Sequence, residues 1–362
     1  MKQIKVSVII PVYNAESFLE DCIKSLTNQT LQECEFIFIN DGSFDKSLEI
    51  IEKYQELDKR IRIINQENAG RSIARNVGII AAKGQYIGFI DSDDFVADEM
   101  FETLYNRVSK ENVDLVVSNY FLGRDKKYVL KKEIFPVNIV YDKEYIQKEI
   151  ISNLLEREDL FSVWNKLYKR DLILANKITF PSVYEEDQLF NLLAFNVASN
   201  ALFIDYSGYF YREVFNGVSK NLFKVDYFEI ARQKLHLNYK ERCDLILSEE
   251  EIDRLKAIRF VQKVFYLIFK YATIETSFSE KFEKIKTIAF DSEVIKVSKK
   301  YSEDILNKQG VFEGLVLKII KNKSEKGLYL LVLMAKVMYH SRISEVARNL
   351  NNLKIKKLKS IA

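Results

Sequence analysis

The feature that most restricts the fold is a regular alternation of two kinds of segment through the first third of the chain. Short apolar runs rich in β-branched residues, Lys5 to Ile10, Glu35 to Asn40, Ile61 to Ile64, Gln85 to Ile90 and Val113 to Ser118, read as strands. Between them Glu16 to Asn28, Asp45 to Leu57, Arg71 to Ala82 and Asp98 to Lys110 carry apolar residues at helical spacing, with Asp45 and Asp98 standing where N-caps belong. Strand, crossover helix and strand, repeated, lead to a parallel sheet with helices on both faces. The expected class is therefore α/β, a doubly wound mixed or parallel sheet.

In such sheets ligands bind beyond the carboxyl ends of the strands. Polar residues gather there: Tyr13-Asn14, Asn40-Asp41-Gly42 and Asp91-Ser92-Asp93. Strand one runs into Pro11-Val12-Tyr13-Asn14 without G-x-G-x-x-G, and no G-x-x-x-x-G-K-[ST] occurs, so the dinucleotide and P-loop ways of holding phosphate are excluded. The remaining device is Asp91-Ser92-Asp93-Asp94. Strand alternation puts Asp91 and Asp93 on one side, where two carboxylates meet a ribose and a divalent ion. Mg²⁺ and Mn²⁺ take one or two protein carboxylates and leave the other positions to phosphate and water, which suits this pair. Acids capping the next helix give the same pattern, so the motif alone does not decide.

Taken together, Ser7-Val8-Ile9-Ile10-Pro11-Val12-Tyr13-Asn14, Asn40-Asp41-Gly42-Ser43, Asn68-Ala69-Gly70-Arg71-Ser72, Ala74-Arg75-Asn76 and Asp91-Ser92-Asp93-Asp94 resemble the family 2 glycosyltransferases of the GT-A fold. The resemblance is strong over roughly the first quarter of the chain, fair to about residue 220 and absent beyond. It implies that Pro11, Val12 and Tyr13 line a nucleotide pocket, that Asp41 takes the uracil imide, that Asp91 meets the ribose and that Asp93 holds the metal, Mn²⁺ or Mg²⁺. A carboxylate facing the pyrimidine N–H fits Asp41, on a turn that Gly42 makes with positive φ. Arg71 and Arg75 lie four apart, share a helix face and point towards the sugar diphosphate; surface cations are the rival reading. Asn68, Gly70 and Ser92 shape the site, and Glu16 seats the pocket from the first helix.

Inverting transfer is a single displacement that needs one carboxylate base and no enzyme nucleophile. His236 and His340 lie far from the motifs, which speaks against Ser/His or Cys/His catalysis. Glu185-Glu186-Asp187 opens an apolar helix, and the family pattern is an acidic pair followed by an aromatic, so Asp187 is the expected base with Glu186 as runner-up. The helix dipole is expected to lower the Asp187 pKa. Val163-Trp164-Asn165-Lys166-Leu167-Tyr168 and Tyr209-Phe210-Tyr211-Arg212 with Ser219 resemble segments of glycan-building members, which places Trp164, Lys166 and Arg212 on the acceptor and diphosphate side. Two readings stay open for Trp164, a platform for a sugar face or a core residue, and two for Arg212, a diphosphate clamp or a structural salt bridge.

The processive synthases of the wider family carry Q-x-x-R-W and transmembrane helices, and neither is found here. The expected acceptor is thus a glycan or lipid-linked glycan extended by one or a few sugars, as in capsule, lipopolysaccharide or teichoic acid synthesis. A non-catalytic nucleotide-sugar-binding subunit is the rival class. A nucleotidyltransferase would open with a Gly-rich basic loop, which Pro11-Val12-Tyr13-Asn14 is not.

The chain is long and apolar enough, at 362 residues and 48% hydrophobic content, for two domains. A catalytic domain over 1–220, with a nucleotide-binding half 1–110 and an acceptor half 111–220, precedes an all-helical region over 221–362. A net charge of +3 excludes a general nucleic-acid binder. Cys22, Cys34 and Cys243 form neither a disulfide framework nor a zinc site, and the N-terminus reads as a strand and not a signal peptide, so the expected location is cytoplasmic. The last 45 residues hold eleven Lys or Arg against Glu325 and Glu345. Attraction to the anionic inner membrane face is one reading, at about 1 kcal/mol for each basic residue near the surface; a solvated helix face is the other.

Overall fold

A computed structural model describes residues 3–124, 127–182, 186–213, 225–274, 276–307 and 311–340, without the side chains of 311, 312 and 335–340. The chain divides into two compact units, Met1–Asn221 with Asn238–Leu247, and Leu222–Leu237 with Ser248–Ala362.

The first unit opens with β1 (Val6–Val12), α1 (Glu16–Thr27), β2 (Cys34–Asp41), α2 (Ser47–Leu57), β3 (Ile61–Gln66), α3 (Arg71–Ala81), β4 (Tyr86–Phe89), the short β5 (Phe95–Val96) and α4 (Met100–Glu111). It continues with β6 (Leu115–Arg124), β7 (Lys127–Lys131), β8 (Ile139–Asp142), α5 (Lys143–Tyr145), a π turn over Ile146–Ile150, α6 (Ile151–Glu156), β9 (Lys166–Lys169), α7 (Arg170–Ala175), α8 (Glu186–Val197) and β10 (Asn200–Arg212). The strands join in the order β3-β2-β1-β4-β9-β6-β10-β5, with β7 beside β6 and β8 beside β10. β3, β2, β1 and β4 are parallel, in the register Val8 opposite Phe36 and Gly88. β9 is antiparallel to both β4 and β6, so the sheet is mixed.

β1 and β2 are buried on both faces, which is why they read as continuous apolar runs without alternation. Pairing of β1 with β4 ends at Ile9 opposite Phe89, whereas pairing with β2 continues to Val12 opposite Asn40. Pro11 thus falls where β1 has already parted from β4. The sheet opens at this point, and the candidate site lies on that rim.

Of the two expected helix caps, one changes. Asp98 does not cap α4, whose preceding residue Glu99 makes no side-chain cap; the amide of Phe101 donates instead to Gln29 Oε1. Asp45 does serve the start of α2, accepting from the Ser47 amide, and it also accepts from the Glu16 amide.

The second unit is helical in its described residues: α9 (Tyr227–Leu235), α10 (Glu249–Thr273), α11 (Phe278–Ala289), α12 (Ser292–Lys300), α13 (Ser302–Asn307), α14 (Val311–Lys321) and α15 (Glu325–His340). Its core gathers Ile258, Val261, Val264, Leu267, Ile285 and Ile320 with their neighbours. Among the described residues no helix is long and apolar enough to cross a membrane. Of the basic C-terminal residues, Arg342, Arg348, Lys354, Lys356, Lys357 and Lys359 lie outside the described residues, as do Glu185 and Ser219.

Candidate active site

The loops after β1 and β2 are tied together by hydrogen bonds that the sequence motifs supply. The Asn14 amide donates to Ser43 Oγ, the Phe44 amide to Asn14 Oδ1 and the Ala15 amide to Ser47 Oγ. Glu16 Oε2 accepts from the Lys46 amide at 3.0 Å, so its carboxylate secures the loop at the head of α1. Above this frame Tyr13 (49% exposed) and Phe44 (84%) meet edge to face, centroids 6.2 Å apart. Pro11 is half-buried, but Val12 is wholly in the core, so its side chain does not line an open pocket as expected.

Asp41 ends β2 and is buried. Its Oδ1 accepts from the Ala69 amide (2.9 Å) and Gln66 Nε2 (2.7 Å), and its Oδ2 from the Gly70 amide (2.9 Å). Asn68 Nδ2 donates to the Asp41 carbonyl. A carboxylate has about four lone-pair positions, so one acceptor position is left for a ligand N–H. Gly42 has φ 71° as the turn demands, and a Cβ there would meet the Asn68 nitrogen at 2.8 Å. Gly70, φ 89°, turns the chain into α3.

Asp91, Ser92, Asp93 and Asp94 do not continue β4, which ends at Phe89. The Asp94 amide donates to the Asp91 carbonyl at 3.0 Å, so the four residues form a turn. Turn geometry, rather than strand alternation, brings these carboxylates together. Burial, then the neighbouring Asp91 charge, pushes Asp93 up to about 6. Asp94 is buried, also raised by burial and by Asp91, and accepts from Tyr209 Oη (2.5 Å) and the Arg212 amide (2.7 Å). Among the described residues no three His, Cys, Asp or Glu side chains form a metal cage. Asp91 and Asp93, hard oxygen donors close enough that the Asp91 charge raises Asp93, nevertheless suit a divalent cation that keeps phosphate or water ligands.

Facing this turn, α8 presents Glu186 and Asp187 in its first turn, where the dipole favours acids. Glu186 is buried; Arg71 forms an ion pair with it through Nε and donates from Nη2 to its Oε2 at 3.0 Å. Arg75 donates from Nη1 to Asp187 Oδ1 (2.5 Å) and Glu186 Oε1 (3.3 Å), and from Nη2 to Asp91 Oδ1 (2.7 Å). Arg71 and Arg75 do share a face, but Arg75 is 1% exposed and spent on carboxylates, so it does not point at a diphosphate. The Asp187 side chain retains 23% exposure. Its pKa is raised to about 6, not lowered as the helix dipole alone would have it, because burial and the charges of Glu186 and Asp91 outweigh Arg75 and Arg71.

The acceptor-side expectations divide. Trp164 is 7% exposed and stacks on Tyr209 at 4.1 Å and 16°, with Tyr120 edge-on, so the core reading holds and the ring presents no face to a sugar. Lys166 is wholly buried: Nζ donates to the Ser162 carbonyl and to Asn165 Oδ1, which removes it from contact with a diphosphate. Burial pushes Lys166 down and Glu133, which accepts from Asn165 Nδ2, up. Arg212 pairs with Asp21 at 3.0 Å and lies over the rings of Phe18 and Phe95, near enough to Asp93 to oppose part of the rise that burial and Asp91 cause. Sequence reasoning missed Tyr209 as the partner of Asp94, and Phe180, whose ring lies 5.1 Å from the Arg75 guanidinium. No local pattern marks either.

The fold is an α/β mixed sheet with an acidic cluster on the rim where it opens, and comparison with known proteins supplies the family. Residues 7–174 match the model "Glycosyl transferase family 2". An uncharacterized glycosyltransferase of Bacillus subtilis, EpsJ, is 38% identical over 60% of this chain, and the chain spans 64% of EpsJ's length. The cholesterol galactosyltransferase of Borreliella burgdorferi is 32% identical over 86% of this chain and 84% of its own. The crystal structure of S. aureus TarS residues 1–349 in complex with UDP-GlcNAc superposes with a TM-score of 0.63 at 20% identity, covering 92% of this chain and 91% of that one. The chain belongs to the family 2 glycosyltransferases and has the GT-A fold.

Proposed function

We propose that the protein is an inverting glycosyltransferase that moves a sugar from a UDP-sugar to a hydroxyl of a glycan or lipid-linked glycan. The observation that carries this reading is the convergence of two acidic groups from separate elements: the Asp91–Asp94 turn after β4 and the Glu186–Asp187 pair that opens α8. Asp187 takes the proton of the acceptor hydroxyl. The oxygen bonds to the anomeric carbon as the opposite C–O bond breaks, and the bonding pair leaves with UDP.

Asp41 accepts the uracil imide, Tyr13 covers the base, and Arg71 and Arg212 stand at the diphosphate side. Asp93 and Asp91 hold Mn²⁺ or Mg²⁺, which would supply positive charge to the diphosphate. The ligand named for TarS, UDP-GlcNAc, supports a UDP-sugar donor. The name of the Borreliella relative supports a lipid acceptor. Capsule, lipopolysaccharide or teichoic acid synthesis is the expected setting, with peripheral contact at the cytoplasmic membrane face. In favour of that contact, exposed Tyr329, Leu330, Leu333 and Met334 share one side of α15, close in sequence to Lys323 and Lys326.

The test is calorimetric titration with UDP in the presence and absence of Mn²⁺, followed by a screen of UDP-sugars for turnover. Absence of metal-dependent UDP binding overturns the reading. Binding without any turnover favours the rival, a non-catalytic subunit.

A further inference from the structure

Arg75 differs from the other cations of the rim in what surrounds it. Three carboxylates from two elements close on one guanidinium: Nη2 meets Asp91 on the turn after β4, and Nη1 meets Asp187 and Glu186 on α8. Phe180 covers the group, and its buried Nε has no acceptor among the described residues. A surface salt bridge needs one counter-charge, and a phosphate ligand needs N–H groups open to solvent; Arg75 matches neither description. A planar fork with separately directed terminal nitrogens is suited to hold two carboxylates at a fixed separation, which the point charge of a lysine is not.

We infer that Arg75 is a positioning residue that ties the donor-side Asp91 to the base Asp187, setting where the base carboxylate stands relative to the donor sugar. This rests on the inverting-transfer reading above. Arg75 acts through its two partners, and its contribution falls on the proton transfer and displacement more than on nucleotide affinity. Glu186 completes the arrangement by joining Arg75 to Arg71, so the base-bearing end of α8 is held from both arginines of α3.

The test uses the full chain and compares wild type, Arg75→Lys and Arg75→Ala for kcat, donor KM and Kd for UDP with Mn²⁺. Arg75→Lys is expected to lower kcat by roughly 10²-fold, the cost of misplacing a reacting group by about 1 Å, with a smaller change in Kd for UDP. Guanidinium chloride below denaturing concentration should restore part of the kcat of Arg75→Ala, while sodium chloride at equal ionic strength should not. Should Arg75→Ala fail to fold, Arg75→Lys decides alone. Wild-type kcat in Arg75→Lys, or a loss confined to UDP affinity, overturns the inference and leaves the transferase reading intact. A wild-type protein that neither binds UDP nor transfers sugar overturns both.

Discussion

The rim of the sheet and the core of the helical unit handle buried charge in opposite ways. At the rim Asp41, Arg75, Asp94 and Glu186 are all nearly inaccessible, and their carboxylates and terminal guanidinium nitrogens meet one another, neighbouring side chains or backbone amides from distant segments. The helical core is built from Ile, Val, Leu and Phe. Among the described residues of that unit the buried cations are Lys256, Arg259 and Lys281: Lys256 pairs with Asp253 within α10, and Lys281 caps a helix end, donating from Nζ to the carbonyls of Ala272 and Ile274. Burying ions is costly even when they are paired, and replacing such pairs with apolar side chains is often neutral or stabilising. A rim that concentrates them is therefore shaped by something other than stability, and local rules of consistency fail where function is served.

The widest separation between the two regions should come from substitutions that touch only one of them. Asp187→Asn removes the proposed base and keeps the shape, so sugar transfer should fall by about 10²–10⁴-fold while UDP binding persists. Turnover by Asp187→Asn at the wild-type rate would remove Asp187 from the base position. In the helical unit Leu267→Ala should cost about 2–5 kcal/mol, read by denaturant unfolding, because the side chain is wholly buried in a close-packed cluster. A loss below about 1 kcal/mol would mean that this core yields around the cavity.

How far the sequence revealed these two regions depends on the range of the contacts involved. β1 to β4 and α1 to α4 follow from local periodicity and lie within a few residues of expectation. The positive φ of Gly42 was likewise readable, since a tight turn after a strand leaves few other choices. The second half of the sheet was not. β9 is four residues long and enters antiparallel between β4 and β6, so Lys166 and its neighbours read as site residues when they are sheet interior. The 13-residue β10 pairs in parallel with β6 through two register shifts, which no period-two pattern survives. Arg75 was visible as a cation on the right face of α3. Its burial was invisible, because Glu186 and Asp187 lie 111 and 112 residues away in the chain.

Smaller effects sharpen the contrast within the rim itself. Asp93→Ala should weaken UDP binding about tenfold with Mn²⁺ present and change it little without metal, since one carboxylate of the proposed two-carboxylate donor set is lost. Equal loss with and without Mn²⁺ would place Asp93 on the nucleotide instead of the cation.

The last effect is the pH dependence of turnover, about twofold at the midpoint. Asp187 has its pKa raised to about 6, first by burial and then by Glu186 and Asp91, with Arg75 and Arg71 opposing. A base must be deprotonated to accept the acceptor's proton, so turnover should rise with pH through about 6 and level off above 7. At pH 6 about half of the plateau should remain, and at pH 5 about a tenth. The helix end alone would have put this midpoint below the ordinary carboxylate value, and turnover would then be flat from pH 5 upwards. Measuring kcat between pH 5 and 8 at saturating donor and Mn²⁺, where a bound cation would keep Asp93 ionised, therefore weighs burial against the helix dipole at Asp187. A flat profile would mean that the arginines of α3 and the helix end together, rather than burial, set the charge of Asp187.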